Sequence, residues 1–276
     1  MSGVPHALCA RRLSLAMQSY GHAYDSTFYD YVQIGATRSA RVVVPAIIAQ
    51  LQPRSVLDVG CGRGVWLLEY MRRGVPKVLG LDGDYVPSES LLIPSEYFRA
   101  QDLRQAFDLG ERYDVVQCLE VAEHVEPSSA PLLIANLTRH GARVLFSAAP
   151  PGQGGESHVN EQSYEHWRRL FAERGFVPFD SVRPLIRSAS TVEPWYRYNM
   201  ILYVHEQAIR GLPGAVSATR IAGDEPIRDV SPLVARVCRS VLRRFSPRLV
   251  SRIAIAKHKM ALALLRSAGA WPPDRS

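Results

Sequence analysis

The fold of this chain is decided by the stretch Val56-Leu57-Asp58-Val59-Gly60-Cys61-Gly62-Arg63-Gly64. Its first half is a short apolar, β-branched run, which predicts a buried strand ending at Val59. The glycines after it allow the backbone to turn tightly and to approach a ligand closely. Residues 64–73 then follow a helical pattern that ends at Gly74. The stretch therefore predicts a strand, a glycine turn and a helix whose first N–H groups face a ligand.

The spacing of the glycines excludes two other nucleotide-binding turns. A dinucleotide fingerprint needs a third glycine at residue 65 or 67, and these positions hold Val65 and Leu67. The sequence also contains no GxxxxGK[ST] motif, so a P-loop is excluded.

Strand and helix patterns alternate on both sides of this turn. Further strands are predicted over 77–82, 97–102, 113–119, 143–147, 176–180 and 200–205, and helices over 41–51, 131–140 and 162–174. Alternation of this kind predicts an α/β fold with a seven-stranded, mostly parallel sheet and helices on both faces. The connection 181–199 is polar and contains proline without helical periodicity. It therefore predicts an antiparallel hairpin of the last two strands at the edge of the sheet.

Charge divides the chain into segments. Residues 211–276 carry twelve Lys and Arg against four Asp and Glu, whereas the whole 276-residue chain has a net charge of +7. Residues 1–210 are therefore nearly neutral, and the basicity lies in the C-terminal part. We predict an N-terminal lid or helical segment over 1–52, a ligand-binding domain over 53–210 and a basic helical extension over 211–276. Within that extension, 211–230 is predicted to be a linker and 231–266 a pair of helices broken before Pro247.

Composition predicts a cytoplasmic protein. The chain has no apolar run long enough to span a bilayer and no pattern of a secretory signal. Its four cysteines, at 9, 61, 118 and 238, form no CxxC pair, which argues against a disulfide framework or a cysteine zinc site. Peripheral contact with the inner surface of the membrane is an alternative, because a basic amphipathic helix binds anionic lipid.

The glycine turn resembles motif I of the class I S-adenosylmethionine-dependent methyltransferases, and the resemblance extends over about 150 residues. It implies a Rossmann-like sheet with S-adenosylmethionine bound at the carboxyl ends of the strands. Asp82, followed by Gly83, matches the acidic residue that holds the ribose hydroxyls. Asp102-Leu103 matches the pair at the adenine, and Cys118-Leu119 lies beneath the methionine part. The implied cofactor-binding residues are Asp58, Gly60, Cys61, Gly62, Asp82, Gly83, Asp102, Leu103, Cys118 and Leu119.

The segment Glu120-Val121-Ala122-Glu123-His124 follows the fourth strand. If residue 120 begins a helical turn, both carboxylates and the imidazole share one face. The segment is similar to the ExxEH stretch of ubiquinone-biosynthesis O-methyltransferases and of small-RNA 2′-O-methyltransferases. That resemblance implies a divalent metal site formed by Glu120, Glu123, His124 and the downstream His158. The alternative is a metal-free site in which the carboxylates orient the cofactor and the helix terminus.

His158 lies in the glycine-rich loop 150–160, where an acceptor is expected to enter. A histidine is well suited to general-base catalysis near neutral pH, so His158 is our first candidate for the catalytic base and His124 the second. An anchoring role for His158 and Asn160 at the following helix is the alternative.

We therefore expect methyl transfer to a small-molecule hydroxyl, on a sugar or another specialised metabolite. The alternatives are 2′-O-methylation of RNA ribose and a non-enzymatic cofactor-binding scaffold, and no DNA partner is expected. For 231–266 we expect packing or homo-oligomer contact, with membrane contact as the next alternative. Nucleic acid is disfavoured because Phe245 alone among the aromatic residues accompanies the arginines there. The aromatic stretch from Tyr20 to Tyr31 is a candidate wall of the acceptor pocket.

Overall fold

The protein was analysed as a computed structural model that describes residues 26–267. Tyr20 and Tyr24 of the candidate acceptor wall lie outside the described residues, as does the first half of the proposed N-terminal lid, residues 1–25. The first helix, α1, covers Ser26–Leu51, so the helix predicted over 41–51 begins much earlier in the chain.

Seven strands form one sheet in the order β3-β2-β1-β4-β5-β7-β6. Their bounds are β1 Ser55–Val59, β2 Lys77–Asp82, β3 Phe98–Ala100, β4 Val115–Leu119, β5 Arg143–Ser147, β6 Phe176–Phe179 and β7 Ile201–His205. The pairs among β1 to β5 are parallel, whereas β7 runs antiparallel to both β5 and β6. The predicted sheet and its antiparallel edge are confirmed, although β3 and β4 are shorter than their patterns indicate.

Helices cover both faces of this sheet. They are α2 Val65–Arg72, α3 Ala130–His140, α4 Tyr164–Ala172, α5 Arg183–Ile186, α6 Pro194–Asn199, α7 Gly214–Ser217, α8 Leu233–Leu242 and α9 Pro247–Ser267. Two apolar cores result: α1 and α2 contribute to one, and α3 and α4 to the other. The short helices α5 and α6 lie in the connection 181–199, where the sequence shows no helical period.

The segment 211–230 packs on the domain and does not have the character of the linker that we predicted. The Ile221 amide donates to the Pro178 carbonyl at 3.0 Å, and Arg220 forms an antiparallel bridge with Phe179. Val216 and Ile227 are buried in the two cores. The boundary expected at residue 210 therefore cuts through packed structure, and the two long helices of the basic extension begin at α8.

Replacing Ile227 by Val tests whether this segment belongs to the domain. Ile227 is 5% exposed, so losing one buried methylene should lower the free energy of unfolding by about 0.5–1.5 kcal/mol. The matched control is Ile253→Val, because Ile253 on α9 is 50% exposed and its change should stay within about 0.5 kcal/mol. Chemical denaturation measures both values, and equal values for the two variants would contradict the assignment.

Among the described residues, no helix combines the length and apolar character that crossing a membrane requires.

Candidate active site

The glycine turn joins β1 to α2 at the centre of the sheet, where the strand order reverses between β1 and β4. Ligands of open α/β sheets bind at such a switch point. Gly60, Gly62 and Gly64 all have a positive φ, which side chains of L-residues rarely adopt. A Cβ on Gly60 would lie 2.3 Å from a methyl group of Val121, whereas one on Gly62 would meet no described atom within 4 Å. The turn therefore packs tightly on the segment after β4 and exposes its backbone at Gly62.

Asp82 ends β2 beside this turn and is buried. Its Oδ2 accepts a hydrogen bond from the Gly62 amide at 2.6 Å. Its Oδ1 accepts from the Gly83 amide at 2.7 Å and from the Tyr85 hydroxyl at 2.5 Å. Burial raises the pKa of Asp82, and these three donors partly offset that increase. The structure thus places Asp82 and Gly83 at the motif I turn, with Tyr85 as an additional partner that the sequence did not indicate.

Asp58 lies within β1 and is buried beneath the turn. Gln117 donates to its Oδ1 at 3.2 Å, while its Oδ2 has no hydrogen-bond partner among the described residues. Burial raises the pKa of Asp58 to about 7; the Gln117 hydrogen bond opposes this, and the charge of Asp82 adds to it. A buried carboxyl with a free oxygen beside the glycine turn is suited to receiving a donor or a positive charge.

Asp102 and Leu103 follow β3, the strand at one edge of the sheet. Asp102 is paired with Arg104, whose Nε and Nη2 lie 2.9 and 2.8 Å from its oxygens. This hydrogen bonding lowers the pKa of Asp102. Leu103 is buried beside it. An adenine contact of the Asp102 carboxylate would therefore have to be made beside Arg104.

Three apolar or thiol side chains that were predicted to bind the cofactor are buried: Cys61, Cys118 and Leu119. Burial raises the pKa of both thiols, so the two cysteines remain protonated. Cys118 is 0% exposed, so neither its thiol nor its backbone is open to a ligand in this conformation.

Glu120 does not begin a helical turn, contrary to our expectation. Its φ is +55°, a left-handed conformation that is costly for a residue with a side chain and is found mainly at functional sites. The turn that follows is a short 3₁₀ helix over Ala122–His124. The Glu120 carboxylate accepts from Gln153 Nε2 at 3.0 Å and from Asn199 Nδ2 at 3.3 Å. Glu120 therefore faces the loop after β5 and helix α6.

Glu123 is fully buried, and neither of its carboxyl oxygens makes a hydrogen bond of standard geometry within the described part of the chain. Burial raises its pKa well above the usual range, and the nearby Glu120 charge raises it further. An uncompensated buried carboxylate is costly, so Glu123 needs either a proton or a cation.

His124 and His158 stand beside Glu123. Their rings meet edge to face with centroids 4.9 Å apart. Potential ligand atoms of Glu123, His124 and His158 all lie within 4.8 Å of one another. Burial, together with the charge of His158, lowers the pKa of His124 to about 3, so this imidazole is neutral at neutral pH. The structure brings three of the four predicted metal ligands into one cluster, and Glu120 lies outside that set of ligand atoms.

Glu161 is a functional residue that sequence reasoning missed. It accepts from His158 Nδ1 at 2.8 Å and from the amides of Gly152 and Gly154 at 2.6 and 2.8 Å. Burial works to raise its pKa, but these hydrogen bonds hold it below the usual value. Glu161 therefore orients the His158 ring and secures the loop. Its position three residues after His158 was the available signal.

Asn160 anchors the loop to the segment after β4 and not to the following helix, which was the alternative considered for it. Its Nδ2 donates to the Ala122 carbonyl at 3.2 Å, and its amide donates to the Glu123 carbonyl at 3.0 Å. The cap of α4 is Ser163, whose side chain accepts from the His166 amide. His158 therefore does not cap this helix.

Comparison with known proteins agrees with this geometry. A family model described as a methyltransferase domain matches residues 36–188. Among curated relatives, the ubiquinone biosynthesis O-methyltransferase of Proteus mirabilis is 40% identical over 102 residues, which cover 34% of this chain and 41% of the relative. The enzyme of the same description from Yersinia pestis is 37% identical over 102 residues, covering 34% and 42%. The match thus spans about two fifths of these relatives.

Solved structures of methyltransferases also resemble the chain. The magnesium protoporphyrin IX methyltransferase of Synechocystis, with bound S-adenosylmethionine, is 21% identical to this chain, and the TM-score is 0.48. The match covers 75% of this chain and 100% of the Synechocystis chain. An amino pentose methyltransferase from Micromonospora echinaspora is 18% identical with a TM-score of 0.43, covering 60% and 89%.

The family model covers more than half of the chain, and the glycine turn and strands β1 to β6 lie within the range that it matches, whereas β7 follows it. The chain therefore belongs to the methyltransferase domain family, as a member of the class I, S-adenosylmethionine-dependent type.

Proposed function

We propose that this protein transfers a methyl group from S-adenosylmethionine to a hydroxyl group of a small molecule. The observation that carries the proposal is the cluster of Glu123, His124 and His158. Glu123 and His124 lie on the segment that packs against the glycine turn, and His158 lies on the loop after β5. Val121 of that segment contacts Gly60, so the segment that carries Glu123 and His124 packs directly on the cofactor turn. The curated relatives, whose names describe O-methyltransferases, support the choice of oxygen as the acceptor atom.

The cofactor is proposed to lie across the ends of β1, β2 and β4. Asp82 would accept from the ribose hydroxyls, because a carboxylate can accept from both groups of a diol. The backbone of Gly60 and Gly62 would border the methionine part, and Asp102 with Leu103 would border the adenine. Asp58 would supply negative charge beneath the turn through its unpartnered oxygen.

The reaction is an in-line displacement. An acceptor oxygen bonds to the methyl carbon while the bond from carbon to the sulfonium sulfur breaks, and the electron pair stays on sulfur. The sulfonium is already activated, so alignment supplies much of the rate enhancement. The acceptor hydroxyl must lose its proton, because a neutral alcohol is a poor nucleophile, and the cluster is where we propose that this occurs.

The residues present fit a divalent cation. Glu123 offers two buried oxygens that make no hydrogen bond of standard geometry with the described residues, and His124 is a neutral imidazole. Glu161 holds His158 as the outer carboxylate of a metal-bound histidine commonly does. A bound cation would lower the pKa of the acceptor hydroxyl. Glu123, His124 and His158 are the residues that would hold it.

Without a cation, His158 remains our candidate for the general base. Glu161 accepts from Nδ1, so that nitrogen carries the proton and Nε2 carries the lone pair that a base requires. Nε2 faces Gly155, whose added Cβ would lie 2.1 Å from it. A shift of the loop at Gly155 would therefore be needed before Nε2 reached an acceptor.

Incubating the protein with methyl-labelled S-adenosylmethionine and a fractionated metabolite extract tests the proposed function. Label should enter a small-molecule fraction as an alkali-stable methyl ether, and S-adenosylhomocysteine should suppress it. Label found in RNA would support the ribose 2′-O-methyltransferase alternative, which the nearly neutral charge of residues 1–210 disfavours. Binding of the cofactor without transfer to any fraction would favour the scaffold alternative.

A further inference from the structure

Helix α8 exposes its most apolar face. Leu233, Val234 and Val237 are 67%, 74% and 54% exposed, although aliphatic side chains on a helix normally face a core. The exposed apolar residues continue through the turn into α9. We define the outer stripe as these residues: Leu233, Val234, Val237, Val241, Phe245, Leu249, Ile253 and Met260. A surface helix of a globular domain normally turns its apolar face toward the core, whereas this apolar face points away from the domain.

The side of α8 that faces the domain is held by one arginine among smaller apolar contacts. Ala235, Arg239 and Leu242 are only partly exposed there. Arg239 pairs with Asp229 and donates to Ser231 Oγ at 3.2 Å. These contacts fix the rotation of the helix, so the outward direction of the apolar face is determined by specific pairing on the inner side.

The charge around the outer stripe has one sign. Residues 230–273 contain nine Arg and Lys and no Asp or Glu. Arg236 and Arg244 border the groove between Leu233, Val237 and Val241 on α8, and both are exposed. The outer stripe and the residues around it therefore combine exposed aliphatic side chains with basic side chains and no acidic ones. Such a surface is complementary to a partner that has an apolar interior and anionic groups at its surface.

We propose that the outer stripe of α8 and α9 binds the surface of an anionic phospholipid bilayer. The aliphatic side chains would enter the boundary between headgroups and acyl chains, and the arginines would pair with lipid phosphates. This proposal does not depend on the methyl acceptor or on the proposed function.

Two other occupants fit the observations less well. A second copy of this chain would bring nine cations against nine cations with no carboxylate between residues 230 and 273 to pair with them. Nucleic acid would match the charge, but the outer stripe offers it aliphatic groups where stacking would need aromatic rings.

The same helices hold the loop that carries His158. Arg243 Nε donates to the Pro151 carbonyl at 2.8 Å, and the Ser157 amide donates to Ser251 Oγ at 3.3 Å. Val250 lies so close to Gly154 that an added Cβ there would be 2.7 Å from its methyl group. Because the inner sides of α8 and α9 contact this loop, docking of the outer stripe would place the loop and its entrance next to the bilayer.

Flotation with lipid vesicles tests the proposal with the full chain. The protein should bind vesicles of phosphatidylcholine with about 30 mol% phosphatidylglycerol, and raising the salt from about 0.1 M to 0.5 M should weaken binding about tenfold. The double variant Val237→Asp with Val241→Asp should lower the partition coefficient more than about tenfold. The matched control is Leu185→Asp on α5, because Leu185 is 55% exposed but lies outside the stripe. This control should stay within about twofold of the parent.

A fluorescent probe locates the bound surface. Cys238 on α8 is exposed, whereas Cys61 and Cys118 are buried. In a Cys9→Ser background, the emission of an environment-sensitive label on Cys238 should shift to shorter wavelength when the anionic vesicles are added.

Three results would each overturn the proposal: no vesicle binding, equal binding to pure phosphatidylcholine, or a dimer that Val237→Asp dissociates. Binding to single-stranded RNA in preference to vesicles would overturn it as well. Unchanged cofactor affinity in the double variant shows that the domain is folded, so loss of vesicle binding is separable from loss of the enzyme.

Discussion

Replacing His158 by Ala should lower kcat by about 10²–10⁴-fold while the affinity for S-adenosylmethionine stays within about twofold. His158 lies in the cluster with Glu123 and His124, and Glu161 fixes its orientation. Steady-state kinetics with the identified acceptor measure the first value, and calorimetry measures the second. The control is His205→Ala: β7 runs antiparallel to β5, so His205 lies beside the start of β5, away from the loop after it, and its removal should leave kcat unchanged.

The companion variants decide how the cluster works. If a cation is held there, Glu123→Ala and His124→Ala should be damaged as severely as His158→Ala, because residues that act as a unit are not additive. Chelation should abolish turnover of the parent, and a divalent ion should restore it. Equilibrium binding of Mn²⁺, which needs no turnover, should show one site in the parent and none in the three variants. We expect this outcome because neither buried oxygen of Glu123 makes a hydrogen bond of standard geometry with the described residues.

Cation binding should also depend on pH. Burial raises the pKa of Glu123, so the folded, cation-free protein holds a proton that the unfolded chain releases. Stability of this form should therefore fall as pH rises from the ordinary carboxyl range through the raised pKa. A cation replaces that proton, so its affinity should rise over the same pH range. Affinity that falls with increasing pH would contradict the role of Glu123.

Turnover that survives chelation would instead support His158 as a metal-free base. Glu123→Ala would then keep most of its activity, whereas His158→Ala would still lose about 10²–10⁴-fold in kcat. Full activity of His158→Ala would remove both mechanisms, and His124 would become the remaining candidate.

Local patterns were sufficient for the part of the molecule that binds the cofactor. The strand ending at Val59, the three glycines and the acidic end of β2 follow from periodicity and turn chemistry within a few residues of each other. Parallel order then brings Asp82 next to Gly62, because adjacent parallel strands end at the same edge. No long-range information is required for that placement.

The remaining features depend on contacts between distant segments. The left-handed conformation of Glu120 replaces the helical turn that its spacing predicts, and its carboxylate is held by Gln153 and Asn199. The hydrophobic period of α8 is clear in the sequence, but the sequence does not say that its apolar face points outward. That orientation follows from the pairing of Arg239 with Asp229, which is ten residues away.

Replacing Asp82 by Ala should weaken binding of S-adenosylmethionine about tenfold to a hundredfold. A hydrogen bond to a charged group contributes about 1.5–3 kcal/mol, and the variant would lose the proposed contacts to the ribose diol. The Tyr85 hydroxyl already donates to Asp82, so the diol would share or displace that bond. Calorimetry with the purified variant measures the dissociation constant directly.

The matched control is Asp84→Ala, because Asp84 carries the same charge two residues later and is exposed. Asp82 also accepts from the Gly62 and Gly83 amides, so thermal unfolding must show that the turn survives in the variant. Tyr85→Phe separates the two roles further: removing the competing hydroxyl should preserve or raise cofactor affinity if Asp82 binds the diol. A folded Asp82→Ala protein with the parent's affinity would show that the ribose lies elsewhere, and the register of the cofactor along β1 and β2 would then have to change.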